Sequence, residues 1–229
     1  MNDELDNIVE RYARRKGLSG LYSAFNADVV LQRQAWQRSL IALLKEVRIA
    51  DFSDLSILEV GCGTGGNILE FIQLGANPER IAGNELLPER VEAARQRLPT
   101  AVRIHPGDAS ALVLDDASFD IVYASVVFSS ILDDGLQERL AKTMWRLVKS
   151  GGGVLWYDFT FNNPNNPDVR AVPMLRIKEL FPDGIVHAKR ITLAPPIARR
   201  VARIHPALYA ALDFCPLLRT HLLCYLAKP

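Results

Sequence analysis

The sequence predicts an open α/β fold, a mostly parallel sheet with helices on both faces. Two observations carry this. From residue 56 to residue 160, short apolar runs alternate with segments of helical period, which is the pattern of βαβ units. A glycine cluster, LEVGCGTGGN over residues 58–67, also falls between the first apolar run and the first helix of that series. Glycine costs conformational entropy, so four of them at 61, 63, 65 and 66 imply a backbone that something must approach closely.

The elements follow in order. Leu5, Ile8, Val9 and Tyr12 recur at helical spacing, with basic residues elsewhere on the wheel, and the helix ends near Gly17. A looser segment leads to a second helix from about Asp28 to Arg48, with Trp36, Leu40, Leu43, Leu44 and Val47 on one face. Residues 1–50 therefore read as a helical cap, 51–160 as a cofactor-binding core, and 161–229 as substrate-side elements and closing strands of one domain. In the core, strands are expected at Ser56–Val60, Arg80–Glu85, Ala101–Ile104, Phe119–Ala124 and Val154–Phe159. Helices are expected from Asn67 to Leu74, from Pro88, and through Leu136, Leu140, Met144 and Leu147 to a stop at Lys149-Ser150-Gly151. Beyond a loop, FNNPNNPDVR, come a short helix at Pro173–Phe181, a strand at Ile185–Leu193, a helical stripe at Ile197, Val201 and Ile204, and a last strand in LLRTHLLCYLAKP.

Bulk properties narrow the function. The chain has 229 residues, 49% of them apolar and 23% charged, which suits a globular domain with a core. A net charge of +1 gives no field for nucleic acid. Cys62, Cys215 and Cys224 show no paired spacing, so neither a disulfide framework nor a zinc site is expected, no other metal is expected, and a reducing cytoplasm is the simplest setting. The N-terminal MNDELDNIVERYARRKG lacks the apolar core of a signal peptide, and no apolar window reaches about 18 residues.

The glycine loop admits two readings. Gly61, Gly63 and Gly66 fit G-x-G-x-x-G, so a dehydrogenase could set a pyrophosphate on the following helix and a ribose diol on Glu85. S-adenosylmethionine fits better. Glu59 precedes the loop, giving E-x-G-x-G-x-G, and a carboxylate there suits an ammonium and a sulfonium but not a pyrophosphate. Gly107-Asp108-Ala109 after the third strand offers a carboxylate and a backbone N–H for an adenine edge. The chain also shows no second domain for a hydride acceptor.

LEVGCGTGGN, AGNELLPE, HPGDASAL, SFDIVYASVVFSSI and LVKSGGGVLWYDF, in order and with family spacing over residues 56–160, resemble the successive motifs of class I S-adenosylmethionine-dependent methyltransferases. The resemblance implies a Rossmann-like, seven-stranded sheet whose last strand is antiparallel. It implies that Glu85 holds both ribose hydroxyls, with Leu86 beside it. The loop of Gly61, Cys62, Gly63, Gly65 and Gly66 would line the amino-acid moiety, Asp108 and Ala109 would bind adenine, and Ser125 would lie near the methionine portion, although many relatives have an acidic or amide residue there. S-adenosylhomocysteine would be the product.

The acceptor side is less legible. Asp158, ending the fifth strand, is a candidate general base, followed by His221 and His205; Asp133 and Asp134 read as a helix N-cap pair. Tyr12, Tyr22 and Phe25 could close over the cofactor, and the loop Asn162–Arg170 offers amides and an arginine to a hydroxyl-rich ligand. Arg199, Arg200 and Arg203 beside Ile197, Val201 and Ile204 could touch an anionic membrane surface or a phosphate-bearing acceptor, or form a solvated face. The whole chain is similar to bacterial methyltransferases of surface-polysaccharide and secondary-metabolite gene clusters. This favours O-methylation of a sugar or glycan hydroxyl, free or lipid-linked, over a polyketide or quinone-like acceptor, with a non-catalytic cofactor-binding partner protein as the other class.

Overall fold

A computed structural model describes residues 3–14, 20, 23–162 and 166–229. Two helices open the described chain, α1 (Asp3–Arg14) and α2 (Ala27–Glu46). The core follows as β1 (Ile57–Val60), α3 (Gly66–Gln73), β2 (Ile81–Glu85), α4 (Pro88–Arg97), β3 (Arg103–Pro106), β4 (Phe119–Ser125), α5 (Asp134–Leu147) and β5 (Val148–Phe159). Then come α6 (Met174–Leu180), β6 (Ile185–Leu193), α7 (Pro195–Ile204), α8 (Pro206–Asp213) and β7 (Arg219–Ala227).

The strands form one sheet in the order β3-β2-β1-β4-β5-β7-β6. β1 to β5 pair in parallel, and β7 runs antiparallel to both neighbours. The seven strands and the reversed last one are as expected. So is the general order of elements, but three details differ.

β3 begins at Arg103 rather than Ala101, because a turn from Pro99 to Val102 closes first (Val102 N–H to Pro99 O, 2.9 Å). Its last residue is Pro106, which an edge strand tolerates because no ladder bond is lost. The residues Lys149-Ser150-Gly151 do not stop α5 in a loop; β5 starts directly at Val148 and carries them. Gly151 takes φ +79°, and a Cβ on Gly152 would lie 2.5 Å from the Asp120 carbonyl oxygen, so both glycines serve a strand irregularity. Finally, α8 was not expected. His205 makes it possible, its Nδ1 accepting from the Ala207 N–H at 3.1 Å as a cap, with Pro206 at the first helical position.

Each sheet face carries its own core. Leu58, Val60, Val122, Ala124, Val154 and Trp156 face α1, α5 and α6. Ile57, Ile121, Tyr123, Leu155 and Leu223 face α2, α3 and α4. The strand period of two produces this division. α2 buries Trp36, Leu40, Leu43 and Leu44 against the second face and packs along β6, β7 and α7. It is a layer of the fold, whereas α1 lies over the sheet's carboxyl edge. Leu43 is wholly buried, so Leu43→Ala should cost about 2–5 kcal/mol in urea unfolding. A cost below about 1 kcal/mol would show that α2 is not part of the sandwich.

Candidate functional site

Parallel strands share one carboxyl edge, and a crevice opens where neighbouring connections leave to opposite sides. Here that point lies between β1 and β4, and a cleft of ≈ 680 Å³ counted out to its open mouth occupies it. Gly61 after β1, Glu85 and Leu86 after β2, Asp108 and Ala109 after β3, and Ser125 at the end of β4 all line it. Four strand ends thus bring six of the expected cofactor residues onto one wall.

Glu85 is 4% exposed. Its Oε2 accepts from the Gly63 N–H at 2.8 Å and its Oε1 from the Leu87 N–H at 2.9 Å. A carboxylate oxygen has two lone pairs, so each keeps one for a ligand hydroxyl. Asp108 caps a short turn, Oδ1 accepting from the Ser110 N–H and Oδ2 from the Ser110 hydroxyl, both at 2.8 Å. Its carboxylate is both turn former and cleft wall, with lone pairs to spare.

The remaining loop residues stand behind the wall. A Cβ on Gly63 would meet nothing within 4 Å, while Gly65, at φ +81°, is the left-handed cap from which Gly66 starts α3. Cys62 turns inward: its N–H donates to the Asn84 carbonyl at 2.8 Å, and a Cβ on Gly83 would sit 2.8 Å from its Sγ. Burial pushes that thiol far up, as befits a packing residue.

Glu59 lies beneath the loop, fully buried. Oε1 accepts from Asn67 Nδ2 at 2.6 Å, and Oε2 has no partner among the described residues. Burial raises its pKa to about 8; the Asn67 bond opposes this and the Glu85 charge adds to it. A buried carboxyl with one unpartnered oxygen under the loop suits a cationic ligand, whose charge would favour its ionised form, whereas a pyrophosphate would hold it protonated. With the free lone pairs of Glu85 and the Asp108–Ala109 edge, the residues present fit S-adenosylmethionine.

Other residues complete the site without a sequence signal. Asn84, 2% exposed, donates through Nδ2 to the carbonyls of His105 (3.1 Å) and Gly107 (2.9 Å), fixing the turn that presents Asp108. Val126 lines the cleft at φ +55°, a strained conformation for a β-branched residue, with its N–H bonded to the Tyr157 carbonyl at 2.7 Å. α1 closes the mouth with Leu5, Ile8 and Tyr12. Arg11 donates to the Ser130 carbonyl at 3.2 Å, Glu4 accepts from the Leu132 N–H at 2.8 Å, and the Arg90 guanidinium lies 4.3 Å from the Tyr12 ring centre. Tyr22 lies outside the described residues, and Phe25 is fully exposed, so it does not close over the cleft.

The three acceptor-side candidates are not brought together. Asp158 is 1% exposed and accepts from the Ser129 and Phe159 N–H groups, both at 2.9 Å; burial raises its pKa to about 7. It thereby holds the turn containing Ser130, a cleft residue. His221 pairs with Phe159 across β5 and β7, so it shares a face with Tyr157, opposite Asp158. Its ring stacks on Tyr157 at 4.9 Å and 13°, Nδ1 is 2.9 Å from the Thr220 hydroxyl, and burial lowers its pKa to about 4. The imidazole is therefore neutral at pH 7. His205 stands apart at the start of α8, its Nδ1 used as the cap. On the His221 face, Tyr157 shares a hydrogen bond with Thr192 at 2.7 Å, while the buried hydroxyls of Tyr123 and Tyr209 lack partners among the described residues. No cluster of metal-ligating side chains occurs among the described residues.

Sheet order and cleft together define the class of architecture, a Rossmann-like fold of the methyltransferase type. Residues 57–152 match the methyltransferase domain family. A demethylmenaquinone methyltransferase of Deinococcus radiodurans is 32% identical over 108 residues, 45% of this chain and 42% of that protein. The tRNA N(3)-cytidine methyltransferase METTL2 of Gallus gallus is 32% identical over 111 residues, 45% of this chain and 30% of that one. The chain thus spans less than half the length of these curated relatives. Among solved structures, phosphoethanolamine N-methyltransferase 2 of Haemonchus contortus, in complex with S-adenosylhomocysteine, superposes with a TM-score of 0.60 at 16% identity, over 85% of this chain and 53% of that one.

Two expectations follow. Glu85→Ala should weaken S-adenosylhomocysteine binding in calorimetry by about 1.5–3 kcal/mol per lost charge-assisted bond; wild-type affinity would refute the role of Glu85. Glu59 keeps its proton in the folded chain up to about pH 8, but only to 4.5 as a free side chain. The folded state holds more protons across that window, so stability falls as pH rises through it. Glu59→Gln removes the dependence: its Tm gain over wild type should be least near pH 4.5 and grow toward pH 8. A constant difference would mean that Glu59 ionises freely.

Proposed function

We propose that this protein is an S-adenosylmethionine-dependent methyltransferase acting on a small, ring-bearing acceptor. The observation that carries the reading is the convergence of Gly61, Glu85, Asp108 and Ala109 on one cleft, with the unpartnered carboxyl of Glu59 beneath. When bound, the cofactor supplies a methyl group on a sulfonium, already activated toward a nucleophile. Glu85 holds the ribose diol, Asp108 and the Ala109 N–H take the adenine edge, and the loop from Gly61 lets the amino-acid end lie against the backbone. What remains for the chain is alignment and removal of the acceptor's proton.

His221 is the group proposed for that proton, being neutral at pH 7 and set among Tyr157, Phe159 and Thr220. Asp158 positions the turn from Phe128 to Ser130 from the opposite face. The same aromatic surroundings favour a planar quinone-like acceptor. The glycan hydroxyl that the sequence favours has thinner support: Asn162 Oδ1 accepts from the Ala171 N–H and Arg170 pairs with Asp134, so these loop groups serve the loop itself. A tRNA acceptor sits poorly with a net charge of +1. A non-catalytic cofactor-binding partner would need the cleft alone. The free thiols of Cys62, Cys215 and Cys224 suit a cytoplasmic setting.

Methyl-labelled cofactor offered with a demethylated quinone, and separately with a glycan, tests the reading; cofactor binding without transfer to any acceptor would leave a binding module. The pH profile assigns the base. A base works unprotonated, so the rate rises with pH through its pKa. With His221 the limb lies near 4 and kcat is level at neutral pH; with Asp158 it lies near 7. We expect the former, with His221→Phe lowering kcat roughly 10²–10⁴-fold at unchanged cofactor affinity. A limb near 7 that Asp158→Asn abolishes would transfer the role to Asp158.

A further inference from the structure

β7 runs against the other strands, so the connection from β6 to β7 begins and ends at the sheet's carboxyl edge, the edge that holds the cleft. That connection is the hairpin of α7 and α8. It packs inward through Ala198, Ala202 and Tyr209, with Leu193 beneath. Its outer surface is unusual. Ile204 is 71% exposed, Leu208 43%, Phe214 84% and Leu217 87%, within a stretch that also exposes Pro206, Ala207, Ala210 and Ala211. Scattered apolar residues on a surface are ordinary, but a contiguous set marks an interaction face.

Charge says which partner this face suits. Between residues 194 and 218 the chain has three arginines, Arg199, Arg200 and Arg203, and a single acidic residue, Asp213, which is paired with Arg219 at 3.8 Å. None of the three guanidiniums forms an ion pair among the described residues. A helix with arginines beside exposed Ile and Leu, followed by Phe and Leu at the next turn, is built like an interfacial helix: apolar residues enter the acyl boundary while guanidiniums meet anionic headgroups. A second copy of the chain fits worse, because a twofold contact would set the arginine row against itself. No described helix is long and apolar enough to cross a membrane, so any such contact lies on the surface.

We propose that the α7–α8 hairpin docks on an anionic bilayer surface through Ile204, Leu208, Phe214 and Leu217, with Arg199, Arg200 and Arg203 on the headgroups. The carboxyl edge then faces the lipid, and an acceptor dissolved in the membrane reaches the cleft without crossing bulk water. This goes beyond the methyl-transfer reading, and docking stands or falls apart from it.

Co-sedimentation with vesicles tests the proposal, using phosphatidylcholine alone and phosphatidylcholine with an equal part of phosphatidylglycerol. The full chain should bind the anionic vesicles, bind the neutral ones weakly, and detach as salt rises. The double charge reversal Arg200→Glu/Arg203→Glu should lower binding about a hundredfold, and Phe214→Ser/Leu217→Ser at least tenfold. Both pairs are solvent-exposed, so Tm and S-adenosylhomocysteine affinity should stay at wild-type values. Failure to bind anionic vesicles, or equal binding by all variants, overturns the proposal. So does a wild-type dimer in sedimentation equilibrium that Phe214→Ser/Leu217→Ser dissolves, which would give the face to a second copy. Loss of cofactor binding in wild type would instead count against the methyltransferase reading alone.

Discussion

The carboxylate of Glu85 ties two turns together. One oxygen receives the Gly63 N–H from the loop after β1, the other the Leu87 N–H that opens α4. Both turns sit at the edge of a parallel sheet, where no ladder bonds remain for them, and the group that fixes them is 4% exposed. Removing a buried charged acceptor of two N–H groups would leave both donors unsatisfied. The loop's shape therefore depends on the same side chain that lines the cleft. The remaining supports are arranged around it: the Cys62 N–H bonds to the Asn84 carbonyl, and Asn84 reaches on to the carbonyls of His105 and Gly107. Loop, β2 and the Asp108 turn are joined by one set of hydrogen bonds, the kind of support that preorganises a binding site.

A strand's period of two decides the chemistry on the other half of the edge. Asp158 and His221 are alternative base candidates in the sequence, two titratable groups near the ends of adjacent strands. Pairing of Phe159 with His221 puts them on opposite faces. Burial shifts both toward their uncharged forms, the aspartate up and the histidine down. Their surroundings nonetheless differ. The Asp158 oxygens accept from backbone N–H groups that shape a turn, while the His221 ring lies flat on Tyr157 among hydroxyls. Geometry, more than the degree of shift, separates the two groups.

The sequence was legible where local rules decide. Apolar runs, the proline at the first turn of α4, and the glycine loop between β1 and α3 follow from patterns confined to a few residues, and they give the sheet and most of the cleft wall. The parts that stayed hidden depend on distant partners. Asn84 is meaningful only because β3 pairs beside β2 and brings the Gly107 carbonyl within reach. Val126 is β-branched and gives no sign of a positive φ, which accompanies the bond of its N–H to the Tyr157 carbonyl on β5. Lys149-Ser150-Gly151 reads as a helix stop because glycine commonly ends helices; the positive φ of Gly151 and the crowding of Gly152 against the Asp120 carbonyl appear only once β4 and β5 are paired. α8 was invisible because its cap is a histidine, outside the usual set of capping residues.

The two N-terminal helices look alike as sequences and differ in what holds them. α2 places Trp36, Leu40, Leu43 and Leu44 in the core, so it cannot leave without opening the sandwich. Among its described residues α1 buries Ile8 and Arg11, with Leu5 and Tyr12 packed at the margin of the core. Its other attachments are polar: Arg11 to Ser130, Tyr12 to Ser130, Glu4 to Leu132, Arg14 to Asp168, and the stacking of Arg90 on Tyr12. Such contacts exchange readily with water, whereas buried leucines do not. The helix over the cleft is thus also the one whose displacement costs the core least. Its anchor, the turn from Phe128 to Ser130, is shaped by Asp158 from below. The helix over the cleft and the end of β5 consequently meet in one turn, held by the buried carboxylate of Asp158.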